Sequence, residues 1–435
     1  MRKTAPAMVL IGLLAGYLLA QEKPAAQEKL ATQEKADKLI GVLRAPAELV
    51  EYDPETFAVK QTIKVPSEAV EAPQSVAVNH QWQVLYQPDL ELPLAETDVS
   101  TPQKIWLWNG KAAVELDSGV KYETAATGSN QAVTESAPRA FLSADGAHLY
   151  WFANSARRLQ REGMDLSTAT EWSGWRTDMS GGNREELGTI KLPECPCSAG
   201  ACDETCPYGM AWAPEDGVAT YFEMSQTVAG KAGTEYRAST LFREEGGKWT
   251  AVPITPPLRR VLDAAANGSV IVEAIPDTGC CGLSNQSDDS TIVHKGEAAI
   301  TVFDERATYR NPDYDVSFFT SNAKLSADGA EIAMTIVSTG EASKAIQLTE
   351  DGQANPEESK QIRAALAELP AVEVKTVEEP SRRVAFVPHA TLVGWLSQKE
   401  ILIVQDHRLV VHNVTTGASR KSGIEVEDAP HVFLR

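Results

Sequence analysis

From residue 38 onward the chain repeats two short phrases, and any fold it adopts has to accommodate that repetition. The first phrase is an apolar strand, a turn of small residues with Asp, Asn or Gly, and a second apolar strand. It occurs as RAFLSADGAHLYWFA (139–153), MAWAPEDGVATYFEM (210–224), LDAAANGSVIVEAI (262–275), AKLSADGAEIAMTIV (323–337) and VGWLSQKEILIV (393–404). The second is a pair of strands around a polar turn: LVEYDPETFAVKQTIKV (49–65), KIWLWNGKAAVEL (104–116), STLFREEGGKWTAVPI (239–254), TIVHKGEAAITVF (291–303) and RLVVHNVTTGASRKSGI (408–424). Gly accepts positive φ at little cost and Asp or Asn bonds nearby amides, so these residues serve turns rather than catalysis. Short alternating or β-branched runs without sustained helical periodicity read as all-β. Alternating the two phrases gives four antiparallel strands per unit, A to D, and such a unit repeated around an axis is a propeller blade.

Three of these segments carry a family resemblance. FLSADGAHLYWFA and KLSADGAEIAMTIV resemble the repeat of TolB-like and WD40-like extracytoplasmic propellers, and VEYDPETFAVKQTIKVP resembles the repeat of YVTN-type bacterial surface propellers. The resemblance covers roughly residues 38–435 and implies a propeller fold. It implies little about activity, since these signatures are shared by proteins of unrelated function. The Gly-His and Trp-Asp pair of strict WD40 repeats is absent.

Counting tests the reading. A-B pairs start near 73, 137, 209, 259, 321 and 390, and C-D pairs near 48, 104, 171, 237, 291, 343 and 408. The surplus C-D pair is N-terminal. KLIGVLRAP (38–46) supplies its B strand and PHVFLR (430–435) its A strand, a closure that removes two sheet edges. Seven blades of roughly 57 residues follow, with six or eight as alternatives. The one helical signal is NPEESKQIRAALAEL (355–369), with Asn355 as N-cap and Pro356 at the first helical position; it is expected at a C-D turn.

Before the repeats, Arg2 and Lys3 precede an apolar stretch, residues 5–20, and then the polar run QEKPAAQEK. That is the pattern of a secretory signal cleaved after Ala20, with an uncleaved anchor as the alternative. Residues 21–37 read as a solvated tether and 38–435 as the propeller domain, in the periplasm or outside a bacterial cell. Sixty acidic residues against 40 Lys and Arg give a net charge of -20, which excludes an extended phosphate-neutralising face and hence nucleic acid as partner.

Strand order places A-B and C-D turns on one face, and B-C and D-A connections on the other. The second set is long: 117–137, 153–170, 193–209, 276–290 and 304–320. Variable loops on a rigid scaffold are where binding sites are built. The candidate binding residues are Arg157, Arg158 and Arg161 in one loop, and Arg306, Tyr309, Arg310, Asp313 and Tyr314 in another, suited to an anionic or peptide ligand. All six cysteines lie in two loops of this face: Cys195, Cys197, Cys202 and Cys206, then Cys280 and Cys281. An even count in an exported chain favours disulfides, here a staple between the two loops, with a vicinal Cys280–Cys281 bond, zinc ligation or redox activity as alternatives.

The sequence contains no HExxH, G-x-S-x-G, Walker A or G-x-G-x-x-G motif, and none of its seven histidines forms a close ligand set. No cofactor is implied. Trp106, Trp108, Trp151, Trp172, Trp175, Trp212 and Trp395 fall in expected strands, where packing between blades accounts for them. The leading expectation is a monomeric exported propeller that binds a protein, peptide or small ligand through its long-connection face, without stable membrane insertion after signal cleavage. An extracytoplasmic hydrolase, lyase or oxidoreductase with a dispersed site is the alternative, and a purely structural surface protein the third.

Overall fold

The computed structural model describes residues 38–73, 76–79, 81–87, 105–109, 112–116, 131–135, 139–143, 146–161, 164–191, 208–212, 221–229, 235–245, 248–252, 254, 258–265, 268–274, 290–304, 317–339 and 356–434. The signal stretch, the tether, all six cysteines and the 305–316 loop lie outside them.

The described chain is strands with two helices. The first unit holds β1 (Ile40–Arg44), β2 (Glu48–Tyr52) and β3 (Val59–Lys64), followed by the short helix α1 (Ser67–Glu71). The second holds β4 (Val76–Val78), β5 (Val84–Tyr86), β6 (Ile105–Trp108) and β7 (Ala113–Leu116). In the third, β8 (Gln131–Glu135) and β9 (Arg139–Leu142) lie along different stretches of β10 (His148–Arg161), followed outward by β11 (Met164–Asp178) and β12 (Glu185–Lys191).

An eight-stranded sheet then splits naturally in two. Its halves are β13 (Tyr208–Trp212), β14 (Tyr221–Ala229), β15 (Glu235–Glu245) and β16 (Lys248–Ala251), then β17 (Leu258–Ala264), β18 (Val270–Ala274), β19 (Ser290–Lys295) and β20 (Ala298–Asp304). Among the described residues a single backbone pair, Ser239 opposite Leu258, joins their strands. The sixth unit is β21 (Ser317–Leu325), β22 (Glu331–Thr339), helix α2 (Pro356–Leu366), β23 (Ala371–Thr376) and β24 (Arg383–Pro388). The seventh is β25 (Ala390–Ser397), β26 (Glu400–Gln405), β27 (Arg408–Asn413) and β28 (Ser419–Glu425). The last strand, β29 (Val432–Leu434), pairs antiparallel with β1 and completes the first unit in the order β29-β1-β2-β3. Repeated four-stranded antiparallel units of this order make the fold propeller-type.

Alternation along each strand sends one set of side chains to each neighbouring unit, and the apolar clusters fall between units. Ile40, Val42 and Val50 pack with Leu402, Val411 and Ile424 of the seventh unit. Leu43, Leu49 and Ile63 pack with Trp82 and Val84 of the second, and Leu85, Ile105 and Leu107 with Leu149, Trp151 and Trp175 of the third. Tyr150 of the third unit meets Trp249 of the fourth edge-on, centroids 5.4 Å apart. Leu241 packs with Val261 and Val272, Ile271 and Val293 with Phe318 and Ile332, and Ala333 and Val374 with Trp395 and Ile403. The seven tryptophans read as strand residues do lie in strands, and Trp151, Trp175 and Trp395 are buried.

Two expectations are corrected. Helix α2 lies before both β23 and β24, in a B-C connection rather than a C-D turn. The C-D hairpin turns through 377–382 (VEEPSR), which lacks the Gly that marks most of the other hairpins, so the pattern pointed to residues near 343 instead. The stretch 153–170 is no loop. It continues β10 and β11 outward as a ribbon, with Arg157 opposite Thr168, Arg158 opposite Ser167 and Arg161 opposite Met164.

Candidate binding face

The turns define two ends of the molecule, and their contacts distinguish them. On the A-B side, turns of adjacent units touch. In the second unit Asn79 donates to the Gln83 side chain (2.6 Å) and accepts from the Gln81 and Gln83 amides, holding Trp82 at φ 61°. Gly146 of the next A-B turn sits against this loop so closely that a Cβ would come within 2.7 Å of the Gln81 side chain. In the sixth unit Asp328 accepts from the Ser326 hydroxyl (2.7 Å) and the Ala330 amide (2.9 Å). With its amide oxygen turned toward the Asp328 amide, Gln398 of the seventh unit's A-B turn donates to that carboxylate at 3.1 and 3.2 Å.

C-D turns of the first, third and seventh units are closed by the same device. Asp53 accepts from the Thr56 and Glu55 amides and pairs with Lys60 (3.1 Å); the Thr56 amide first, and the Lys60 ammonium next, hold its carboxyl well below the usual range. Asp178 is depressed likewise, first by the Ser180 hydroxyl. Asn413 does the same job without charge, accepting from Thr415 and Thr416. The turn needs positive φ at its fifth position, supplied by Gly417 (73°) in one case and by Phe57 (56°) in the other. Phe57 is explained by its neighbour: the Arg420 guanidinium lies 4.9 Å from its ring centre and donates to the Pro54 carbonyl at 2.9 Å, joining the seventh unit to the first. Where they are described, the turns of this face are therefore cross-tied between adjacent units.

Beside the A-B turns runs a chain of polar links along the inner strands. Lys324 of β21 pairs with Asp263 of β17 at 2.9 Å. The Trp395 indole of β25 donates to the Lys324 carbonyl (2.9 Å), and the ammonium of Lys38, two residues before β1, donates to the Trp395 carbonyl (2.9 Å). Nothing in the sequence flagged these contacts, because each partner is remote in the chain.

The opposite face is uneven. In the seventh unit the B-C connection is only Asp406 and His407, both at positive φ. The D-A connection beyond it is pinned: His431 sets Nδ1 against the Asp428 carboxylate and Nε2 3.1 Å from the Val70 carbonyl of α1, and His407 Nδ1 lies 3.0 Å from the Glu427 carbonyl. These are satisfied structural histidines. In the third unit, by contrast, β10 and β11 run for 14 and 15 residues, with β8 paired alongside from Ser155 to Leu159. At roughly 3.3 Å per residue such a strand spans about 46 Å, more than twice a six-residue blade strand. In the fourth unit β14 and β15 also run on, to Ala229 opposite Glu235. Helix α2 belongs to the same face. Two adjacent units thus raise one side of it.

Of the candidate residues, Arg157, Arg158 and Arg161 are placed on the ribbon by their backbone pairing. Arg306, Tyr309, Arg310, Asp313 and Tyr314, and the six cysteines with their proposed staple, lie outside the described residues. Among the described residues no group of His, Cys, Asp or Glu is arranged to hold a metal ion, and no helix is long and apolar enough to cross a membrane.

Two histidines within strands respond to acid. His294 of β19 is buried, with no hydrogen-bond partner at Nε2 among the described residues, and His412 of β27 is buried with Nδ1 2.8 Å from the Ser419 hydroxyl. Burial lowers the pKa of both below the ordinary imidazole value. Below the unfolded value of about 6.5 the unfolded chain takes up protons that the folded one refuses, so stability is full above that pH and falls as pH drops toward the folded values. Denaturation midpoints should decline between pH 7 and 5, and His294→Leu with His412→Gln should flatten that slope. An unchanged slope in the double variant would assign the decline to other groups.

No model of a known protein family matches the chain, and no curated protein sequence matches it. Solved structures that it resembles include the acylaminoacyl peptidase of Pyrococcus horikoshii, at 9% identity over 87% of this chain and 48% of that one, with a TM-score of 0.42. Others are the β-propeller domain of the Trilobed protease from Pyrococcus furiosus (8% identity, 88% and 94% covered, TM-score 0.37) and AztD from Citrobacter koseri (11%, 92% and 97%, 0.39). The chain spans about half the length of the acylaminoacyl peptidase. The propeller-type fold rests on the sheets themselves and not on these likenesses.

Proposed function

We propose that the chain is an exported propeller of seven blades, closed by its C-terminal strand, that binds a protein, peptide or small anionic ligand on its long-connection face. Closure is supported by the β29-to-β1 pairing and by apolar packing of the seventh unit on the first. Seven blades follow from treating the eight-stranded sheet as two. The observation that carries the binding reading is the ribbon of the third unit. It carries Arg157, Arg158 and Arg161 within five residues of one extended strand, in a chain of net charge -20. A basic projection on an acidic body selects negatively charged ligands and repels its own kind.

The test compares wild type with the Arg157→Ala, Arg158→Ala, Arg161→Ala triple variant. An arrayed set of acidic and neutral peptides, and simple polyanions such as citrate, is titrated against each at low and moderate salt. The expected result is salt-sensitive binding of acidic probes, weakened at least about tenfold in the triple variant, with an unchanged thermal midpoint. Equal binding by the two proteins, or binding of neutral probes alone, would overturn the reading.

A further inference from the structure

We infer that the N-terminal segment is delivered to the tight-turn face, beside the inner strands, so that the long-connection face is presented to partners on the side away from whatever holds that segment. The inference rests on the binding reading above only for what the distal face does; the place where the chain comes in stands on its own observations.

The direction of β1 is fixed by its neighbours. β1 is antiparallel to β29 and to β2, with Ile40 opposite Leu434 and Arg44 opposite Glu48. The β1-to-β2 turn, residues 45–47, therefore lies on the B-C face, together with Val65, whose amide donates to the Ala47 carbonyl, and the His431–Val70 contact. Ile40, at the other end of β1, lies on the turn face, and Lys38 lies beyond it. The Lys38 side chain is 8% exposed, and its ammonium reaches the carbonyl of Trp395, two residues before the end of an inner strand. Trp395 in turn holds Lys324, one residue before the end of β21, and Lys324 holds Asp263, one before the end of β17. Asp263, Lys324 and Trp395 each sit at the turn end of an innermost strand, and Lys38 joins them from just before β1, so the polypeptide is anchored to inner strands at residue 38.

The consequence concerns geometry of access. Residues 5–20 form an apolar stretch, and residues 21–37 are the polar run that joins it to β1. While that stretch is held, at the export machinery or as a retained anchor, the 17 residues that join it to Lys38 meet the described chain at the tight-turn face. The projecting ribbon of the third unit and helix α2 belong to the other end. A soluble peptide or protein then approaches the ribbon from the distal side, whereas a lipid surface would meet the cross-tied turns.

The measurement is a pair of distances in the full chain, using azide-bearing residues so that the native cysteines are left alone. One label replaces Asp37, and the second replaces either Ala327 in an A-B turn or Arg408 beside the short B-C connection; both are exposed. Strands of six to eight residues separate the two faces by roughly 20–26 Å. Energy transfer is expected to be stronger for Asp37 with Ala327 than for Asp37 with Arg408. Equal transfer, or the reverse order, overturns the inference. Failure of the arginine test with the expected order of distances would refute the binding reading and leave the chain's point of arrival intact.

Discussion

Ending the chain at Asp428 is expected to remove about 4–6 kcal/mol of stability, enough to unfold much of the protein at ambient temperature. The segment lost carries β29, whose Val432 is buried against Ile40, Val42 and Leu402 and whose Phe433 and Leu434 are half-buried between the first, second and seventh units. At about 1.5–3 kcal/mol for a fully buried apolar side chain and less for the other two, side-chain burial alone accounts for most of the figure. His431 goes with it, leaving the Val70 carbonyl without its partner. The truncation also bares the edge of β1, so the folded remainder should self-associate. Guanidinium midpoints and sedimentation measure both effects. Val432→Asp, which keeps the chain length, should reproduce the loss of stability. A truncated chain with the midpoint of the wild type would mean that β29 does not bind β1 in solution.

The second large effect is expected at Gly41. Its Cα faces the buried Trp82: a Cβ built there would stand 2.5 Å from the Trp82 ring and 3.2 Å from Leu49 Cδ1. Neither neighbour can withdraw cheaply. Trp82 is 1% exposed, and its backbone is clamped by the Asn79 turn. Gly41→Ala should therefore cost about 3 kcal/mol, at the upper end of the range for overpacking. Replacing Trp82 by Phe shortens the opposing ring. In that background the cost of Gly41→Ala should fall below about 1 kcal/mol, a coupling of roughly 2 kcal/mol between the sites. Additive losses in the double variant would place the strain of Gly41→Ala elsewhere than at this contact.

Much of the fold was legible in the residues because its grammar is local. The positions of the six A-B pairs follow from turns such as Ser326–Asp328–Gly329, in which a short side chain and a positive-φ residue act within five positions. The terminal strand was legible for a different reason: the surplus N-terminal hairpin required a partner, and VFL was the apolar run left over. The failures share a cause as well. The β23–β24 hairpin turns without glycine, and β10–β11 runs through a stretch, Asn154 to Gln160, that lacks regular apolar alternation in the sequence. The Asp263–Lys324–Trp395–Lys38 chain was invisible in principle. Its members are separated by up to 357 positions, and each looks like an ordinary surface charge or strand aromatic until neighbouring units are set side by side.

The central claim is that first and last strands are held in one sheet within a cyclic array, and amide hydrogen exchange across residues 40–44 and 432–434 tests it most directly. The account predicts that these amides exchange as slowly as those of β26 and β27, and that they do so together, because opening one edge exposes the shared cluster of Ile40, Val42, Leu402 and Val432. Exchange of 432–434 within seconds, while β26 and β27 stay protected, would contradict it.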